Sequence, residues 1–260
     1  MGRVSGPAGT LALVLAETAA GGAVLLFLSP LWGEVKRGFF LLTGFTLLAL
    51  GLAAWGAVSA GREGSDAADW ALRLALAFTA ITALWVVLLL LRARGPARAV
   101  GLASVPLSLA LLVALAATGE PSATVAVLQL LAGAAFLGAV WDGLLLGHWY
   151  LVDRGLSRGP IDRLAILLLV GVALETIAVI TGGFGASEGD EAFNKLLTAA
   201  GLAPWIAVGM VAATGLIAVM IRLTLKGRRS SAVQAATGFF YLAVITGFTA
   251  ELAAKVRFLG

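Results

Sequence analysis

Residues 10–32 read TLALVLAETAAGGAVLLFLSPLW, and Glu17 is the only charged side chain among them. A hydrocarbon core about 30 Å thick is crossed by about 20 apolar residues of helix, so this stretch reads as a transmembrane span. Seven further segments pass the same test: residues 38–60, 70–91, 99–119, 122–152, 164–182, 203–221 and 231–254. Composition points the same way. Of 260 residues, 60% are hydrophobic and 12% are charged, and the mean hydropathy is +1.01. A soluble domain carries about 25% charged residues, so most of this surface faces something other than water. The spans lack the strict alternation of a membrane barrel. Helices satisfy their own backbone groups in lipid, which leaves an all-α integral membrane protein of eight transmembrane helices. Gly95-Pro96, Glu120-Pro121 and Gly159-Pro160 read as turns between spans. Residues 184–202 form the longest connection, with a short surface helix expected over 191–200.

Orientation follows from the distribution of basic residues. The odd-numbered loops hold Lys36, Arg37, Arg92, Arg94, Arg98, Arg154, Arg158, Arg163, Arg222, Lys226, Arg228 and Arg229. The termini and even-numbered loops hold Arg3, Arg62, Arg73, Lys195, Lys255 and Arg257, beside most of the loop acids. This asymmetry predicts a multi-pass protein of the cell membrane with both termini outside. The first span has a long apolar run and lacks a small-residue cleavage site, so it is expected to be retained. The basic residues flank apolar runs as membrane-facing charges do, which excludes nucleic acid as the reason for a pI near 10.0. The Arg222–Arg229 patch fits the same bias, an anionic lipid headgroup or an acidic subunit.

The chain also repeats itself. Ala16-Glu17-Thr18-Ala19-Ala20-Gly21-Gly22-Ala23-Val24 aligns with Ala132-Gly133-Ala134-Ala135-Phe136-Leu137-Gly138-Ala139-Val140. Spans four and eight share Ala-Val, Ala-Ser/Thr and Leu-Ala steps in register, and spans two and six share Leu-Leu-x-Gly. An offset of four helices preserves orientation, predicting two parallel four-helix halves, residues 1–120 and 121–260, within a single membrane domain. Chance agreement among Ala, Leu, Gly and Val is the plain alternative. With its Ala19-Ala20-Gly21-Gly22-Ala23-Val24-Leu25-Leu26 run, this arrangement resembles the NrfD/polysulfide-reductase type of membrane subunit. The resemblance covers the whole chain but matches none of that family's quinone-contacting residues. It implies a subunit that anchors redox partners and exchanges electrons with quinone without holding haem.

Charge inside a span is costly, which makes intramembrane acids the first functional candidates. Glu17, Asp142, Glu175 and Glu251 qualify, and His148 lies nearer the inner interface. Desolvation disfavours the charged form of a carboxylate, so buried acids can exchange protons near neutrality. One reading is a proton-conducting series, His148–Asp142–Glu175–Glu17, serving as the catalytic set. The other is structural, each acid pairing with a nearby Arg or hydroxyl, with Thr18, Thr176 and Arg73 available. Glu251 sits close enough to a span end to reach the interface.

Trp141-Asp142-Gly143 and Gly147-His148-Trp149-Tyr150 form the most distinctive stretch. Gly143-x-x-x-Gly147 permits close helix approach. Trp149 and Tyr150 fit an interfacial aromatic belt, or with His148 a cofactor-binding group. His148 has several chemistries open to it: protonating a quinone oxygen, ligating one face of a haem, or bonding a partner subunit. Without cysteine the chain ligates no iron–sulfur cluster, and a single histidine excludes bis-histidine haem within it. No metal site, P-loop, nucleophile elbow or H-E-x-x-H motif is present. Gly182, Gly183 and Gly185 suit a hinge. Three functions remain: a redox-complex subunit whose partners carry iron–sulfur clusters or haem, a proton- or ion-coupled transporter, and a membrane scaffold.

Overall fold

The computed structural model describes residues 4–118, 123–153, 155–181, 202–227 and 231–255. The 191–200 helix, the Gly182–Gly185 hinge and the Glu120-Pro121 turn lie outside them. Among the described residues the elements are α1 (Gly6–Leu28), α2 (Leu31–Glu34), α3 (Arg37–Gly61), α4 (Asp66–Leu90), α5 (Arg94–Ala116), α6 (Ala123–Val152), α7 (Gly159–Thr181), α8 (Leu202–Lys226) and α9 (Ala232–Lys255). All but α2 are long and apolar enough to cross a membrane. The chain is an all-α membrane protein.

The ends of these helices have local causes. Pro30 disfavours helix at the residue before it, so α1 stops at Leu28 and Ser29 is extended. The expected first span ran on to residue 32; the structure instead starts a separate short turn, α2, at Leu31. Ser65 Oγ accepts from the Ala68 amide and caps α4, whose first turn carries Asp66 and Asp69. Two expected turns prove to be helix starts. Gly95-Pro96 lies in the first turn of α5 and Gly159-Pro160 opens α7. A proline is tolerated there because the first amides of a helix have no intrahelical acceptor. Within the spans, buried hydroxyls bond back to their own helix, as in Thr18 to Val14 O at 2.7 Å and Thr79 to Ala75 O at 2.8 Å.

Packing follows one scheme twice. The helices α1, α3, α4 and α5 contact one another in a closed ring, and α6, α7, α8 and α9 do the same. The two rings meet along α1 and α6. Gly133 approaches Glu17, Gly138 approaches Gly21, and Asp142 approaches Gly22, so the two helices run parallel. At the crossing, a Cβ on Gly138 would overlap the Gly21 backbone, and one on Gly21 would overlap Ala134 O. Small residues are the condition for this approach. Gly143 and Gly147 similarly admit Phe240 and Thr237 of α9.

The ends of the molecule differ. Ser5, Gly61 and Lys255 share one end, which we call the terminal face; the Ser5 amide bonds Gly61 O at 3.0 Å. At the other, the basic face, lie Lys36, Arg37, Arg92, Arg94, Arg158, Arg163, Arg222 and Lys226, together with Glu34, Asp153 and Asp162. Two ion pairs there tie the rings together, Lys36–Asp153 at 3.0 Å and Arg163–Glu34.

Candidate functional site

Four charged side chains from three helices meet in the half of the bundle nearer the terminal face. Glu17 sits at the middle of α1, Glu251 and Lys255 lie one turn apart on α9, and Glu175 comes from α7. Lys255 Nζ is 2.8 Å from Glu17 Oε1 and 3.0 Å from Glu251 Oε2. Glu175 has Glu251, Lys255 and Glu17 as its charged neighbours. Glu17 and Glu251 are 0% exposed, Lys255 1% and Glu175 2%.

The space for this cluster comes from α6. A Cβ on Gly133 would stand 2.6 Å from Glu17 Oε1 and 2.9 Å from Glu251 Oε1, so no larger residue fits without displacing a carboxylate. Gln129, also buried, lies one turn away on the same face of α6. Thr10 Oγ1 stands 3.5 Å from the Lys255 carbonyl, linking the start of α1 to the end of α9. Beyond the ion pair, Glu17 Oε2, Glu251 Oε1 and Glu175 Oε2 are buried with no hydrogen-bond partner among the described residues.

Of the residues expected to act in series, the structure brings Glu17 and Glu175 together. Asp142 is a separate station. It is 0% exposed, both of its carboxylate oxygens lack a hydrogen-bond partner among the described residues, and it lies beside Gly22 of α1. Nine residues separate it from Gly133, about 13 Å along α6. His148 is exposed on the surface of α6 and does not join either group.

Trp149 packs on the flank of Gly38 and against the Phe39 ring at 6.4 Å between centroids. Tyr150 donates its hydroxyl to Ser157 O and so closes the loop between α6 and α7. Tyr150→Phe loses one part-buried hydrogen bond and is expected to cost about 1 kcal/mol. Thermal melting of the purified variant measures this; an unchanged midpoint would show that the bond holds nothing.

Lys255 is the residue that sequence reasoning misplaced. Counted there as a flanking charge of the outer loops, it is the buried last residue of α9. Glu251-x-x-x-Lys255 is the signal that identifies it, since residues four apart share a helix face. The pairing partners expected instead are engaged elsewhere: Thr18 and Thr176 bond their own helices, and Arg73 lies over the Trp70 ring at 5.4 Å. Glu251 does not reach the interface. Among the described residues no group of His, Cys, Asp and Glu could hold a metal ion.

Compared with the models of known protein families, with curated proteins and with solved structures, the chain matches none.

Proposed function

We propose that this chain is the membrane subunit of a cell-membrane redox complex, and that the Glu17–Lys255–Glu251–Glu175 cluster exchanges protons for it. The observation that carries the reading is the imbalance of the cluster: three carboxyl groups face one ammonium in a space closed to water. Uncompensated charge in hydrocarbon is held only at a cost of several kcal/mol per ion. The cluster is therefore neutral when it carries two protons, and it offers a place to take up and release them. The fully buried Asp142 supplies a fourth carboxyl, nearer the basic face along the same α1–α6 seam.

With no cysteine and one exposed histidine, electrons come from partner subunits bearing iron–sulfur clusters or haem, and quinone is the mobile carrier in the bilayer. The resemblance to the NrfD/polysulfide-reductase type, an internal duplication of four helices, and both termini outside belong to this reading. The matching helix contacts of the two rings support the duplication.

Glu175→Gln tests the role. Lys255 is held by Glu17 and Glu251, so the amide leaves both ion pairs in place. Loss of a proton-transfer group lowers rates by about 100-fold or more. Proton uptake by membranes energised through the complex is expected to fall at least tenfold in Glu175→Gln, with unchanged protein level. Unchanged uptake and turnover would end the proposal. Purification without crosslinker adds a second check, since iron–sulfur or haem subunits should accompany the chain. A lone protein that moves protons or another cation in liposomes would instead favour a coupled transporter, for which the same carboxyl cluster is the supporting observation.

A further inference from the structure

At the basic face, far from the carboxyl cluster, α1 and α7 leave a cavity of about 360 Å³ between them. Its walls are apolar: Val24, Leu25 and Leu28 on α1, Ile166 and Leu167 on α7. Leu28 and Ile166 are among the exposed large hydrophobics, so the cavity opens sideways toward lipid. Its head is polar. Ser29 and Arg163 line it, and both Ser29 Oγ and Arg163 Nε are buried without a hydrogen-bond partner. Unpaired buried donors are costly, and an acceptor supplied by a ligand removes the cost.

We propose that this groove binds one anionic phospholipid. An acyl chain lies along α1 and α7, and the phosphate oxygens accept from Ser29 Oγ and Arg163 Nε once these two covered side chains turn toward the groove. Charge complementarity selects this occupant. The cations of the basic face outnumber its acids, Glu34, Asp153 and Asp162. Each of those acids already engages one cation, Arg163, Lys36 and Arg222 respectively. The surplus is positive, and a headgroup with net negative charge completes it. A zwitterionic headgroup brings its own ammonium into that positive surround and gains less. The pairing of Arg163 with Glu34 uses the terminal guanidinium nitrogen Nη2 and leaves Nε for the phosphate.

The site has a distinctive dependence on Glu34, whose negative charge beside Arg163 repels the phosphate. Native mass spectrometry of the delipidated protein in mild detergent, titrated with dioleoyl phosphatidylglycerol or dioleoyl phosphatidylcholine, reads it directly. One phosphatidylglycerol is expected to bind at least tenfold more tightly than phosphatidylcholine. Ser29→Val, which removes the donor, and Leu167→Trp, which fills the groove, should each weaken it about tenfold. Glu34→Gln should strengthen it severalfold. Equal retention of the two lipids, or wild-type binding in both Ser29→Val and Leu167→Trp, would overturn the proposal. So would displacement of phosphatidylglycerol from this site by a menaquinone analogue at equal concentration. Melting curves of each variant confirm that binding is read on folded protein.

Discussion

Lys255→Met is expected to be the most damaging single substitution in the chain. It removes the ammonium that stands 2.8 and 3.0 Å from two buried carboxylates and puts an apolar side chain of similar length in its place. Breaking a buried pair by deleting one partner costs about 3–5 kcal/mol, because the remaining charge is left uncompensated. Such a loss is a large part of the total stability of a typical protein. The variant should therefore give little monodisperse protein in detergent, and what survives should melt well below the wild type. The cause can be separated from simple loss of packing. If charge is responsible, the triple variant Lys255→Met with Glu17→Gln and Glu251→Gln should recover most of the lost stability, since neutral amides need no counter-ion. Lys255→Met that melts within two or three degrees of the wild type, about the shift of a surface change, would show that the cluster does not hold the fold.

The second large effect is expected at Gly138. Its flank lies against the Gly21 backbone, which cannot rotate away as a side chain would. Gly138→Leu must therefore push α1 and α6 apart along the whole seam. Overpacking usually costs about 1–3 kcal/mol, and a clash with backbone belongs at the upper end. The absence of cysteine allows a direct measurement of the separation. Cysteines placed at Lys36 and Asp153, whose side chains meet at 3.0 Å across the two rings, should crosslink efficiently with a short bismaleimide. Adding Gly138→Leu should cut that yield several-fold and lower the melting midpoint. Gly56→Leu and Gly209→Leu are the controls: nothing lies within 4 Å of a Cβ at either position, so both should behave as wild type. Equal crosslinking in the Gly138 variant would contradict the seam.

How much of this was legible in the residues depends on what each level of structure needs. A span is a property of a continuous stretch, so eight of them could be read from apolar length alone. Their ends were less exact. Gly95-Pro96 and Gly159-Pro160 carry the composition of turns, and only hydrogen bonding shows that a proline among the first residues of a helix loses nothing. The acids Glu17 and Glu175 stood out because charge in a span is rare. Lys255 did not, since a lysine at a span end is what orientation rules expect. Its burial depends on α1 passing beside the end of α9, a fact of tertiary packing. Gly133 was equally silent. It appeared as the counterpart of Glu17 in an aligned repeat, whereas in the structure it faces Glu17 across the seam and makes room for it.

The pairing of Glu17 with Lys255 also constrains how the protein is made. Glu17 lies on α1 and Lys255 on α9, so six membrane-spanning helices separate the two in the chain. Until α9 enters the membrane, the acid lacks the Lys255 ammonium, and α1 must wait in the bilayer protonated, pressed against water at an interface, or held by an insertase. Maturation therefore has a late, single-step closure. A nascent chain arrested before α9 should remain sensitive to proteolysis or alkaline extraction in a way that the finished protein does not.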